Sequence, residues 1–169
     1  MEIRGAITAL VTPFTKNGGV NYDKLAELIE FQIANGADGI VLLGTTGESP
    51  TISEEEREAI IRTGVDAAGR ISVIVGCGSN DTNRTADACR RAESLGADAL
   101  LVLTPYYNKA NADGMAAHFL TAAEAVHTPI ILYNVPSRTG CSIETGTLER
   151  LRRHPNIIGI KEASGNIAY

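Results

Sequence analysis

Gly36-Ala37-Asp38-Gly39-Ile40-Val41-Leu42-Leu43 and Gly96-Ala97-Asp98-Ala99-Leu100-Leu101-Val102-Leu103 are two copies of one pattern within a chain of 169 residues. In each copy a glycine ends a helix, Ala-Asp turns the chain, and an apolar run begins. A run that is apolar at every position reads as a strand covered on both faces. Runs of this kind lie at 6–11, 39–43, 72–75, 99–103, 130–133 and 157–160. The step from one to the next is roughly 30 residues, the size of one βα unit.

The segments between the strands have helical periodicity. Leu25, Leu28, Ile29, Gln32 and Ile33 fall on one helix face. Ser53-Glu54-Glu55-Glu56 is a capping box, with Ser53 at the cap and Glu56 reaching back to it. Further helices are expected at 81–95, 113–126 and 144–153. Regular β-α alternation with fully apolar strands gives an α/β protein with a parallel sheet under helices. An open doubly wound sheet and a (β/α)8 TIM barrel both satisfy it. No G-x-G-x-x-G follows the first strand, which weakens the dinucleotide-binding version. Polar residues crowd the C-terminal end of nearly every strand, where barrel enzymes place their sites. The expectation is one barrel domain over 1–169, of which the chain supplies about six β/α units. A barrel has eight strands and about 250 residues. The remaining units are expected on a longer chain; a true fragment would leave two apolar edges open.

Bulk properties narrow the function. Net charge is −5 and no stretch is strongly basic, which argues against nucleic-acid binding. No apolar run approaches the roughly 18 residues that span a bilayer. Met1-Glu2-Ile3-Arg4-Gly5 lacks the layout of a signal peptide. Cys77, Cys89 and Cys141 are odd in number and widely spaced, which supports neither a disulfide framework nor a zinc site. A reduced cytoplasmic protein is expected.

The strand ends carry the chemistry. Gly44-Thr45-Thr46-Gly47-Glu48-Ser49 follows the second strand and Thr104-Pro105-Tyr106-Tyr107-Asn108 the fourth. Tyr133-Asn134-Val135-Pro136-Ser137-Arg138-Thr139-Gly140 follows the fifth, and Lys161 ends the sixth. A lysine ending a buried strand either simply reaches water, as most lysines do, or is desolvated on one side and open to substrate on the other. Desolvation disfavours the ammonium and makes the amine a nucleophile for a carbonyl. A tyrosine bonded to a threonine can relay the protons that imine chemistry moves. Arginine holds a carboxylate through two parallel hydrogen bonds. No His or Asp/Glu group has metal-ligand spacing, so the reaction is expected to need no metal. Bland readings compete. Thr45 and Thr46 cap the next segment equally well, and Tyr106 and Tyr107 suit a core or an interface. Arg138 sits in a loop where it could hold only a helix end. His118, His127 and His154 read as structural or surface residues.

Taken together, the first two of these segments, the third extended back to Leu132, and Ile158-Gly159-Ile160-Lys161-Glu162-Ala163 around the lysine closely resemble the dihydrodipicolinate synthase family of pyruvate-dependent class I aldolases, in the family's order and spacing and over essentially the whole chain. The resemblance implies an imine between Lys161 and pyruvate and no other cofactor. It implies that Tyr133 moves protons above that lysine. Thr45 would join Tyr133 to Tyr107, the latter reaching in from a neighbouring subunit. Thr46 would take the pyruvate carboxylate and Arg138 the carboxylate of L-aspartate 4-semialdehyde. Diaminopimelate and lysine biosynthesis, and a homotetramer built from tight dimers, come with the same resemblance. Sialic-acid and sugar-acid aldolases share the lysine and tyrosine but generally lack the arginine, so Arg138 favours the synthase. Another aldolase of that kind, or a non-catalytic partial barrel, are the competing readings. Ser49, Asn80 and Tyr106 match an allosteric pocket for lysine. Glu54, Arg57 and Arg84 stand where lysine-sensitive forms often carry His and Glu, which implies weak or absent lysine inhibition.

Overall fold

The computed structural model describes residues 3–168. Met1, Glu2 and Tyr169, on which the leader reading and the end of the chain fall, lie outside the described residues. Two compact units divide the chain: one runs to Gly76 and includes Arg91–Ala99, and the other comprises Cys77–Arg90 and everything from Leu100 on.

The first unit contains β1 (Ile7–Ala9), α1 (Tyr22–Ala34), β2 (Gly39–Leu42), α2 (Glu54–Ala68) and β3 (Ser72–Gly76). β1 pairs with β2, and β2 with β3, all parallel. β2 and β3 are buried at every position, as their composition predicts. The Ala-Asp of the repeated pattern has a mechanical role. The Asp38 backbone N–H donates to the Ala6 carbonyl, and its carboxylate accepts from the Ala6 N–H at 2.8 Å. Asp98 does the same with both backbone groups of Val73. Each aspartate thereby fixes the register at the mouth of its strand. Gly36 and Gly96 are at φ +83° and +92°, the left-handed conformation a helix C-terminus uses. α1 buries Leu25 and Ile29, each contributing about 1.5–3 kcal/mol of hydrophobic burial. α2 begins with the predicted reciprocal box, Ser53 Oγ accepting from Glu56 N–H and Glu56 accepting from Ser53 N–H.

α3 (Thr82–Ser94) and the start of β4 (Ala99–Leu103) straddle the boundary between units. The second unit continues with α4 (Ala112–Glu124), β5 (Ile130–Asn134), α5 (Pro136–Thr139), α6 (Thr145–Leu151) and β6 (Ile157–Glu162). β4 pairs with β5 and β5 with β6, again parallel. Asn156 anchors the start of β6. Its amide nitrogen donates to the carbonyls of Ala123, Val126 and Thr128, and its own carbonyl accepts from Ile130 N–H.

The structure corrects two expectations. β6 is not a covered strand: none of its residues is fully buried and Ile158 is 50% exposed. It pairs only with β5 among the described residues, so its apolar side chains have a strand on one side only. An apolar groove lined by Leu132, Leu148, Ile157, Ile158 and Ile160 accordingly runs beside α6. The segment carrying Arg138 is not a loop but a single helical turn, with Pro136 pre-set for the first position and Gly140 closing it at φ +73°.

α4 holds a buried titratable group. His118 is 3% exposed, with Nδ1 3.0 Å from Thr82 Oγ1 and Nε2 without a hydrogen-bond partner. Burial holds its pKa below the ordinary histidine value, against an upward pull from Asp81. Protonation would place an unpaired N–H in the interior. As pH falls through about 6.5, the unfolded chain takes up this proton before the folded chain does. Stability should therefore decline from there downward until the lowered folded-state pKa is passed. The urea midpoint, followed over that range, should fall in the parent and flatten in His118→Gln.

Candidate active site

Within the first unit lies the turn after β2. Gly47 N–H donates to Gly44 O and Glu48 N–H to Thr45 O, so two overlapping turns fold Gly44–Glu48 tightly. Thr12, itself buried, ties this turn down through a 2.7 Å hydrogen bond to Gly47 O. Thr12 is legible in the sequence only as a polar residue at the end of the first strand; a threonine before a proline has no signature of this pinning role. Thr45 and Thr46 stand exposed at the tip. Ser49 opens a 3-10 turn and is gripped by Arg57, whose guanidinium donates to Ser49 Oγ at 2.7 Å, to Ser49 O and to Gly76 O. A cation thus sits directly on the serine of the expected lysine pocket.

Within the second unit lie the ends of β4, β5 and β6. Tyr133 and Lys161 are register partners on the parallel pair β5–β6, so their side chains rise side by side from one face. Lys161 Nζ lies 4.3 Å from the centroid of the Tyr133 ring, within cation–π reach. Tyr133 is buried and Lys161 half-buried. The amine therefore has an aromatic wall on one side and an open approach on the other.

The next register pair, Asn134 and Glu162, faces away from that side. Asn134 is fully buried, donates to Glu162 Oε2 at 2.7 Å and accepts from Ile143 N–H at 3.0 Å. Burial acts to raise the Glu162 pKa. Hydrogen bonds from Ser164 and Asn134 outweigh it and hold the carboxyl below its ordinary value. Neither residue was singled out from sequence, since only the strand register makes them a pair.

Arg138 is exposed on α5. Its turn is braced by Thr139 Oγ1, which donates to Val135 O and Cys141 O. Asn80 is half-buried and receives a hydrogen bond at its carbonyl from Asn108 Nδ2, and Tyr106 is half-buried. Tyr107 is 88% exposed at φ 70°, a left-handed backbone that a bulky residue rarely adopts. Such a ring is left almost wholly open to solvent by the described residues. Among the described residues no group of three or more His, Cys, Asp and Glu could hold a metal ion, and no helix is long and apolar enough to cross a membrane.

The family model described as the dihydrodipicolinate synthetase family matches residues 2–169. This chain belongs to that family. The 4-hydroxy-tetrahydrodipicolinate synthase of Coxiella burnetii is 50% identical over 164 residues, which is 96% of this chain and 57% of that protein. The protein of the same name from Porphyromonas gingivalis is 51% identical over 168 residues, which is 98% of this chain and 57% of that one. The solved structure of the chloride-inhibited dihydrodipicolinate synthase from Acinetobacter baumannii, complexed with pyruvate, matches with a TM-score of 0.97 at 45% identity. It covers 99% of this chain and 58% of that one. The chain thus spans a little over half the length of the dihydrodipicolinate synthetase relatives it matches. The alternating strands and helices, with six strands among the described residues, are those of part of the (β/α)8 fold expected from sequence.

Proposed function

We propose that this chain provides the imine-forming site of a 4-hydroxy-tetrahydrodipicolinate synthase, a lyase that condenses pyruvate with L-aspartate 4-semialdehyde. The observation that carries this reading is Lys161 Nζ poised 4.3 Å over the Tyr133 ring at the C-terminal ends of adjacent strands. The unprotonated amine adds to the pyruvate ketone to give a carbinolamine. Protonation of its hydroxyl expels water and leaves the imine. Loss of a methyl proton gives the enamine, whose carbon attacks the aldehyde and forms the new C–C bond. The substrate's own amine then displaces Lys161 and closes the ring, returning the lysine free. Tyr133, the register partner whose ring lies against the amine, is the group that gives and takes these protons.

The remaining roles rest on family membership and on chemical fit. Thr45 and Tyr107 extend the proton path from Tyr133, and Thr46 takes the pyruvate carboxylate. Arg138 takes the second substrate's carboxylate, for which an exposed guanidinium is well suited. The exposure and strained backbone of Tyr107 support its insertion into a second copy of the chain, within a homotetramer in the cytoplasm. The pyruvate complex of the Acinetobacter baumannii relative supports pyruvate as the first substrate.

Reduction with borohydride in the presence of pyruvate tests the reading. A pyruvate-derived mass is expected on the peptide containing Lys161, and none in Lys161→Arg. A folded chain that gives no adduct at Lys161 would overturn it.

A further inference from the structure

We infer that Asn134 and Glu162 are positioning residues that hold Lys161 on the Tyr133 side of β6, an inference that rests on the proposed imine chemistry. A strand's register is firmly set when one face is buried, and a slip of one residue sends every side chain to the opposite face. β6 lacks that protection. No residue in it is fully buried, its third residue is Gly159, and its pairing with β5 is irregular between Ile130 and Ile131. A slip of one residue would put Ile160 or Glu162 beside Tyr133 in place of Lys161.

The C-terminal end of the ladder is instead fixed by polar contacts. Ala163 N–H donates to Asn134 O at 2.8 Å. Asn134 Nδ2 donates to Glu162 Oε2 at 2.7 Å, and the other Glu162 oxygen accepts from Ser164 N–H. Asn134 Oδ1 accepts from Ile143 N–H, which ties the same amide to the segment beyond Arg138. The network fixes the amide's orientation: reversed, its oxygen would face a carboxylate and its nitrogen would face an N–H. Asn134 is fully buried, so its lost bonds could not be replaced by water. The pair therefore clamps the residue next to each reacting group, on the side of the sheet that substrate does not occupy.

The test uses the charge and donor pattern of the pair. Asn134→Asp sets two carboxylates against each other, whereas Asn134→Asp combined with Glu162→Gln restores one donor facing one acceptor. Adduct formation at Lys161 is expected to slow about 10- to 100-fold in Asn134→Asp, the scale of a misplacement near 1 Å. The double variant should recover to within a few-fold of the parent. Glu162→Ala, at an exposed position that leaves the core intact, should slow adduct formation in the same direction. An NMR readout is independent of chemistry: the Tyr133 ring shifts the Lys161 ε-methylene protons upfield. That shift should vanish in Asn134→Asp and Glu162→Ala and return in the double variant. A parent that forms no adduct but follows this NMR pattern would sink the imine reading and leave the clamp standing. Folded Asn134→Asp and Glu162→Ala variants that keep the parent's shift would overturn the clamp, as would a double variant no better than Asn134→Asp.

Discussion

Replacing Gly76 with alanine is expected to destabilise the chain by roughly 3 kcal/mol, the upper range for overpacking a tight site. A Cβ at Gly76 would lie 2.2 Å from the Leu43 carbonyl oxygen and 2.7 Å from its carbon. Both are backbone atoms, so no side chain can swing aside. The loop cannot easily retreat either. Leu43 is already in the left-handed region at φ 54°, and the turn after it is pinned by Thr12 to Gly47. Gly76 is held from its own side by Arg57, which donates to its carbonyl. The collision is therefore relieved only by moving the turn that carries Thr45 and Thr46, and stability and site geometry should fail together. Chemical denaturation reads the loss as a lower midpoint at unchanged slope. Gly159→Ala is the control: nothing lies within 4 Å of its Cβ, and a change within about 0.5 kcal/mol is expected.

The Gly76 effect also marks the limit of what the amino-acid sequence discloses. Strand and helix order was legible because apolar runs and helical periodicity are local signals. The capping box at Ser53 and the glycine stops at 36 and 96 were legible for the same reason, each being fixed by two or three neighbouring residues. β1 is shorter than its apolar run, Ile7–Ala9 rather than 6–11, and gives way before Pro13, which has no N–H for a ladder. Burial of β6 was not legible, because an apolar run cannot state what will cover it. The Asn134–Glu162 pair was hidden because it depends on the alignment of two strands. For the candidate site, Lys161 and Tyr133 were readable as chemistry before they were seen together. Their contact needed only that β5 and β6 be neighbours in register. The exposed Tyr107 differs again: its sequence context allowed a core ring, and only the backbone conformation turns it outward.

Removing one oxygen from Tyr133 should separate proton transfer from placement more sharply than any other single change. In Tyr133→Phe the ring that carries the Lys161 ammonium contact remains, so the amine keeps its seat; only the hydroxyl is gone. Loss of a positioned acid–base group costs about 10²- to 10⁴-fold in rate. The rate of adduct formation between Lys161 and pyruvate, followed by quenching with borohydride at timed intervals, should fall within that range. The upfield shift of the Lys161 ε-methylene should persist. Lys161→Arg, by contrast, should give no adduct at any time, since a guanidinium does not shed its proton in this pH range. If Tyr133→Phe forms adduct as fast as the parent, the tyrosine is only a wall for the amine, and the protons travel through water. If the rate falls while the shift persists, the hydroxyl carries the proton, and the short separation of ring and amine is the geometry that allows it.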